Sequence, residues 1–177
     1  MSRSNETWEW IRSITIAVIL ALLIRFFIFE VFEVDGGSMY PTLEDGNRLV
    51  VDKISYRFNE PGYGDIIVFD SRIGRPFIKR LIGVGGDTVE IRGGTVFRNG
   101  DPLKEPYLLE QKDYPDYGPV EIPPGLFFMM GDYRRNSKDS RDPVVGLVSE
   151  EQIMGRACLI FWPPGEARVL SGKAALN

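Results

Sequence analysis

After residue 35 the chain never sustains apolar residues at helical spacing. It breaks instead into short runs rich in Val, Ile and Phe, separated by Gly, Pro, Asn and Asp. That pattern argues against a helical bundle and against alternating βαβ units, and it predicts a mainly β fold. Strands are expected over residues 48–54, 65–70, 77–84, 88–92, 95–98, 126–130 and 153–162. Gly93-Gly94 separates two of them by two residues, a hairpin signal, and Asn99-Gly100 marks another turn. The proline-rich, polar stretch 104–124 reads as a long surface loop or extended insertion, and the tail after Gly165 as peripheral.

The N-terminal segment is of a different kind. Residues 13–24 form an uncharged run of twelve, too short by itself to span a bilayer. With Trp8 and Trp10 on one side and Phe26 to Phe29 on the other, the segment reaches 22 residues, about 33 Å as a helix. Arg12 and Arg25 then lie near opposite ends, where long basic side chains reach headgroups, and the tryptophans suit an interfacial belt. A cleaved leader is the competing reading. It needs small residues at −3 and −1, and the run Arg25-Phe26-Phe27-Ile28-Phe29-Glu30 supplies none. The expectation is therefore an uncleaved N-terminal transmembrane helix within residues 1–33, followed by a β-rich domain, residues 34–177; Arg3 and Arg12 before the run and Arg25 and Lys53 after it barely set its orientation.

Bulk composition narrows the chemistry. The net charge of −4, without a long basic run, gives nucleic acid no electrostatic footing. A single cysteine and no histidine leave no donor set for a structural zinc site, so neither a metal nor a cofactor is expected. The absence of histidine also rules out a Ser-His-Asp triad. A serine nucleophile here needs another base, and lysine is the known substitute.

Two segments bring such a pair forward. Ser38 follows Gly36-Gly37 on a glycine-loosened turn, which suits exposing a hydroxyl and aiming an N–H at an oxyanion, but equally suits a flexible connection. Lys79 lies in Phe77-Ile78-Lys79-Arg80-Leu81-Ile82, where Phe77, Lys79 and Leu81 share one strand face and Ile78, Arg80 and Ile82 the other. If the first face is the core, Lys79 is desolvated and its amine becomes available as a base. If the second is, Lys79 faces water, and spacing does not decide between them. A third cluster runs from Gly131-Asp132 through Ser137, Asp139 and Arg141; a solvated charged loop is the usual reading of such a stretch, and the alternative is that Asp139 pairs with Arg141 and Ser137 orients a nearby amine.

Taken together, four blocks in order resemble the bacterial type I signal peptidases: residues 37–43, 64–69, 79–87 and 131–141. The single anchor and the length are similar to the short, Gram-positive members. The resemblance implies a membrane-bound serine endopeptidase that removes signal peptides from exported preproteins with small residues at −1 and −3. It implies Ser38 as nucleophile and Lys79 as general base, with Ser137 bonded to the Lys79 amine. Asp139 and Arg141 are then a supporting ion pair, and Gly131 and Asp132 form the same wall. The pocket positions it implies are Phe32, Val34, Asp35 and Gly36 on one side, with Met39, Leu43, Phe77 and Ile78. The partners it implies are the preprotein, bound as an added strand, and the lipid bilayer, with the β-rich domain on the outer face of the cytoplasmic membrane.

Two departures stand out. Some relatives carry serine at the position of Gly36, whose hydroxyl helps bind the oxyanion; Gly36→Ser is expected to restore a donor if Gly36 has an ordinary φ, the favoured reading, and both Gly36→Ser and Gly36→Ala to damage activity if its φ is positive. Tyr133 stands where asparagine is more usual. Two rival readings compete with this one: a self-cleaving repressor-type Ser-Lys protease, which would need an N-terminal DNA-binding domain, and an anchored, catalytically silent β-domain that binds export substrates.

Overall fold

The computed structural model describes residues 3–109 and 113–172; residues 110–112, in the expected insertion, and 173–177, in the tail, lie outside the described residues. Helix α1 (Arg3–Phe27) leads into β1 (Phe29–Glu33), β2 (Arg48–Asp52), a one-turn helix α2 (Ser55–Phe58), β3 (Ile66–Asp70) and β4 (Pro76–Val84). There follow β5 (Thr88–Arg92), β6 (Thr95–Arg98), β7 (Asp101–Pro102), β8 (Tyr117–Glu121), β9 (Leu126–Met130), β10 (Val148–Ser149), β11 (Ile153–Trp162) and β12 (Arg168–Val169). The chain is mainly β, as the short apolar runs predict.

The larger sheet has the order β1-β2-β11-β3-β4-β9-β10, with β12 paired to β11, and the smaller one the order β7-β6-β5-β8. Gly93-Gly94 turns β5 into β6 with Arg92 opposite Thr95, and Asn99-Gly100 turns β6 into β7 with Arg98 opposite Asp101. Strand β3 lies between β11 and β4, and its run Ile66-Ile67-Val68-Phe69 is buried on both faces, which is why it is apolar without alternation. Val34, Met39, Leu43, Leu49, Val68 and Ile160 pack together on one side of the large sheet. Ile67, Phe69, Phe77, Leu81 and Met129 form a second cluster, and Ile82, Val89, Ile91, Phe128 and Met130 join the two sheets.

Three elements differ from the sequence reading, each for a local reason. The helix stops at Phe27, and the end of the expected anchor, Phe29–Glu33, pairs instead with β2, Phe32 opposite Leu49. Strand β2 ends at Asp52 rather than residue 54, because the Asp52 carboxylate accepts the Ile54 and Ser55 N–H groups (2.9 and 3.0 Å) and bends the chain into α2. The proline-rich insertion contains a strand: β8 pairs with β5 at the edge of the small sheet, where a proline costs no ladder bond.

Among the described residues no helix is long and apolar enough to cross a membrane. The 22-residue span suggested by the sequence includes Glu9 and Arg12, and its uncharged part is twelve residues. From Trp8 to Leu22 every side chain of α1 is nevertheless exposed, apolar ones included, so the helix has no core to face.

Candidate active site

Strand β4 brings the lysine to the serine. Its register sets Lys79 opposite Ile67 on β3, and the strand is covered on both faces. Of the two facing alternatives left open by the sequence, the desolvated lysine is the one found: Phe77 and Leu81 are buried beside Lys79, and Arg80 and Ile82 are buried on the other face as well. Lys79 is 4% exposed. Its Nζ lies 2.7 Å from Ser38 Oγ, donates to the Ile78 carbonyl at 2.9 Å, and sits 5.0 Å from the centre of the Phe77 ring. Burial pulls the Lys79 amine down to about 8, against the opposing pull of Asp139 and Asp132, and the Arg75 guanidinium lowers it further.

The Ser38 turn is held from behind by the last block. Tyr133 N–H donates to the Ser38 carbonyl at 3.0 Å. Gly131 is the one position in this wall that must lack a side chain, because a Cβ there would overlap both the Ser38 carbonyl oxygen and the Ser137 hydroxyl. Gly131 N–H donates to Asp139 at 3.0 Å, and Asp139 in turn is bound by Arg141 at 2.7 and 2.8 Å, so the expected ion pair is present with its carboxylate fully buried. Asp132 accepts both Arg80 Nε (2.8 Å) and Nη2 (2.6 Å), and the Thr42 hydroxyl also donates to it. Arg80 Nη1 donates to the Gly64 carbonyl at 2.9 Å.

Ser137 departs from expectation. Its hydroxyl is buried against Gly131 and has no hydrogen-bond partner among the described residues, and the Lys79 amine bonds to Ser38 and Ile78 instead. A small rotation of a hydroxyl side chain in a full wall suffices to lose that bond, which sequence cannot register.

A groove of about 400 Å³ opens beside the pair. Phe32, Val34, Asp35 and Gly36 line one wall, Phe77 and Ile78 the other, with Met39 at the floor. Leu43 is not among its lining residues; it is fully buried, packed with Val34 and Met39 one layer beneath. Sequence reasoning did not single out Arg75, Asn136 and Lys138, which also line the groove, nor the Arg80 partner of Asp132. The Lys-Arg dipeptide at 79–80, two charges inside an apolar strand, was the available signal for Arg80.

The premise about Gly36 is reversed. Its φ is +89°, a conformation that strains any L side chain, although a Cβ there would meet nothing. Its N–H donates to Asp45 at 2.7 Å, which fixes that turn. A serine at this position carries backbone strain with it, so the gain expected from a restored hydroxyl is withdrawn. The Ser38 N–H, two residues on, donates to no backbone carbonyl among the described residues.

Comparison with known proteins gives the family. Residues 7–162 match the family described as signal peptidase, peptidase S26. The chain is 44% identical to a signal peptidase I of Bacillus amyloliquefaciens over 91% of this chain and 88% of that protein. It is 43% identical to signal peptidase I T of Bacillus subtilis (strain 168), over 94% and 91%. A crystal structure of a signal peptidase I from Enterococcus faecalis V583 superposes with a TM-score of 0.50 at 33% identity, covering 55% of this chain and 97% of that one. A family match that takes in the Ser38 turn, strand β4 and the Gly131–Arg141 wall, at this identity over nearly the full length, means that the chain belongs to the signal peptidases of family S26.

Proposed function

We propose that the chain is a membrane-anchored serine endopeptidase that removes signal peptides from exported preproteins with a Ser38–Lys79 dyad. The observation that carries the reading is the 2.7 Å contact between a serine hydroxyl and a buried lysine amine beside an open groove. A silent binding domain has no use for a lysine kept out of water at such a cost.

In this reading the neutral Lys79 amine takes the Ser38 proton as Oγ attacks the scissile carbonyl. The Ser38 N–H donates to the oxyanion that forms. Lys79, now an ammonium, returns the proton to the leaving amine, and the mature chain departs. Water then attacks the acyl-serine, giving a proton to Lys79; as the acyl bond breaks, Lys79 passes that proton to Ser38 Oγ, and the signal peptide leaves as the acid with Ser38 and the neutral amine restored. The peptide binds as an added strand between the Val34–Gly36 wall and β4. Its −1 and −3 side chains point at Val34, Met39, Phe77 and Ile78, apolar side chains of the groove, and small residues are expected at both positions.

The pH dependence tests the base. Activity needs the neutral amine, whose pKa burial brings to about 8. Between pH 5 and 8, kcat/KM for a preprotein is expected to rise about tenfold per unit and to level off above 8. A profile flat down to about pH 5 excludes an amine base.

Support for the membrane anchor comes from two surfaces. The exposed side chains of α1 from Ile14 to Leu22 are apolar except for Thr15, whose hydroxyl donates to the Ile11 carbonyl at 2.8 Å, as in a helix that meets lipid rather than a protein core. On the outer face of the large sheet, Val31, Val50, Leu159 and Val169 stand directly opposite one another across four strands, with Phe29 beside them where the helix ends. The full chain is expected to co-sediment with lipid vesicles and a chain beginning at residue 28 to do so far less; equal binding removes the helix from this role.

A further inference from the structure

The groove walls carry a pair of opposite charges that the reaction described above does not use. Asp35 follows β1 on one wall and Arg75 precedes β4 on the other, and they meet across the groove, Arg75 Nη1 to Asp35 Oδ2 at 3.3 Å. Their side chains are 61% and 87% exposed for Arg75 and Asp35 respectively, whereas Val34 and Met39 below them are buried. Arg75 also lies over the Phe77 ring, 5.7 Å from guanidinium carbon to ring centre, so just ahead of β4 it continues the line that Phe77 and Lys79 form along one face of that strand.

An extended peptide laid between these walls alternates its side chains. If −1 and −3 point down at the apolar floor, −2 points up at the mouth. An exposed ion pair contributes little, so it parts easily to admit the chain and leaves one charge on each side of the −2 side chain. We propose that Asp35 and Arg75 form a charged latch over the groove that reads the charge of the substrate's −2 residue, Arg75 favouring an acidic side chain and Asp35 a basic one. With both present the two preferences cancel. The inference rests on the proteolytic reading of the groove. Glu33, held by Arg48 at 3.2 Å, and Lys138 are the other charges lining it, and they are unchanged in the variants below.

The test uses a model preprotein with Glu, Gln or Lys at −2, cleaved by the full chain at pH 9, above the value of about 8 to which burial brings Lys79, and each ratio compares substrates on one and the same enzyme. The readout is the ratio of kcat/KM for Glu over Lys. Wild type is expected to give a ratio within about twofold of one. Arg75→Gln is expected to shift it about fivefold toward Lys, and Asp35→Asn about fivefold toward Glu, the scale of one exposed pair. The double variant returns it to the wild-type value, and the shifts shrink in 1 M salt. Arg75→Glu, which keeps a long side chain over Phe77, moves the ratio further toward Lys. Ratios that stay at the wild-type value in both single variants overturn the latch while leaving the protease intact. Failure of wild type to cleave the Gln substrate removes the proteolytic reading, and the latch with it.

Discussion

Alanine at Lys79 is expected to lower kcat/KM for preprotein cleavage by about four orders of magnitude or more, and alanine at Ser38 to do the same. The double variant should be little worse than either, because the two atoms 2.7 Å apart act in one step and the second loss removes nothing the first has left. Near-wild-type turnover by Lys79→Ala would end the dyad. The same lysine has an opposite effect on stability. Its pKa is lowered from 10.5 to about 8 on folding, so below pH 8 the folded chain holds a cation that burial disfavours. That cost is fully present below pH 8 and fades as the pH rises from 8 to 10.5, since over that window the unfolded chain binds more protons. Lys79→Met, inactive but without the charge, should unfold later than wild type at pH 7, by as much as about 3 kcal/mol. The advantage should vanish near pH 10.5. Denaturant midpoints at the two pH values measure it, and a variant less stable at pH 7 would show that its contacts outweigh its desolvation.

The largest stability loss is expected at Asp132. Arg80 and Asp132 are both buried and joined by two bonds, and the Arg80 guanidinium lies 3.8 Å from the centre of the Tyr107 ring. Removing the carboxylate with Asp132→Ala leaves a guanidinium without its counter-charge and the Thr42 hydroxyl without its acceptor. The expected cost is about 3–5 kcal/mol, a fall of about 10 °C or more in Tm. Turnover should fall as well, since Thr42 ends the turn that begins at Ser38. The double replacement Arg80→Met/Asp132→Leu separates two accounts. Recovery of most of the stability means that the orphaned charge was the cause; continued loss means that the pair itself holds the turn.

The strands were legible because the buried faces of β5, β6 and β9 are continuous with what Val, Ile and Phe prefer, and because glycine pairs mark the turns between them. Strand β1 was hidden because Phe29–Glu33 follows an apolar helix without a breaker, and only pairing with β2 tells the two apart. Periodicity left Lys79 undecided for a related reason: a strand covered on both faces has no polar side to reveal its phase. Leu43 reads as a pocket residue from its place in the nucleophile block, yet one layer of depth separates lining from support, and spacing carries no depth. Arg75 and Asp35 are forty residues apart and acquire meaning only when two walls face each other.

Strand β1 also has a fixed length. It begins two residues after the helix ends and delivers Phe32 and Val34 to the groove, so its five residues, at about 3.3 Å each, keep the groove within roughly 17 Å of the helix end. With α1 in a bilayer, the strand is a tether. A substrate whose own apolar segment stays in the same membrane must present its scissile bond within that reach. An extended connection of about five or six residues spans the whole of it. Site selection would then be a matter of reach before it is one of fit.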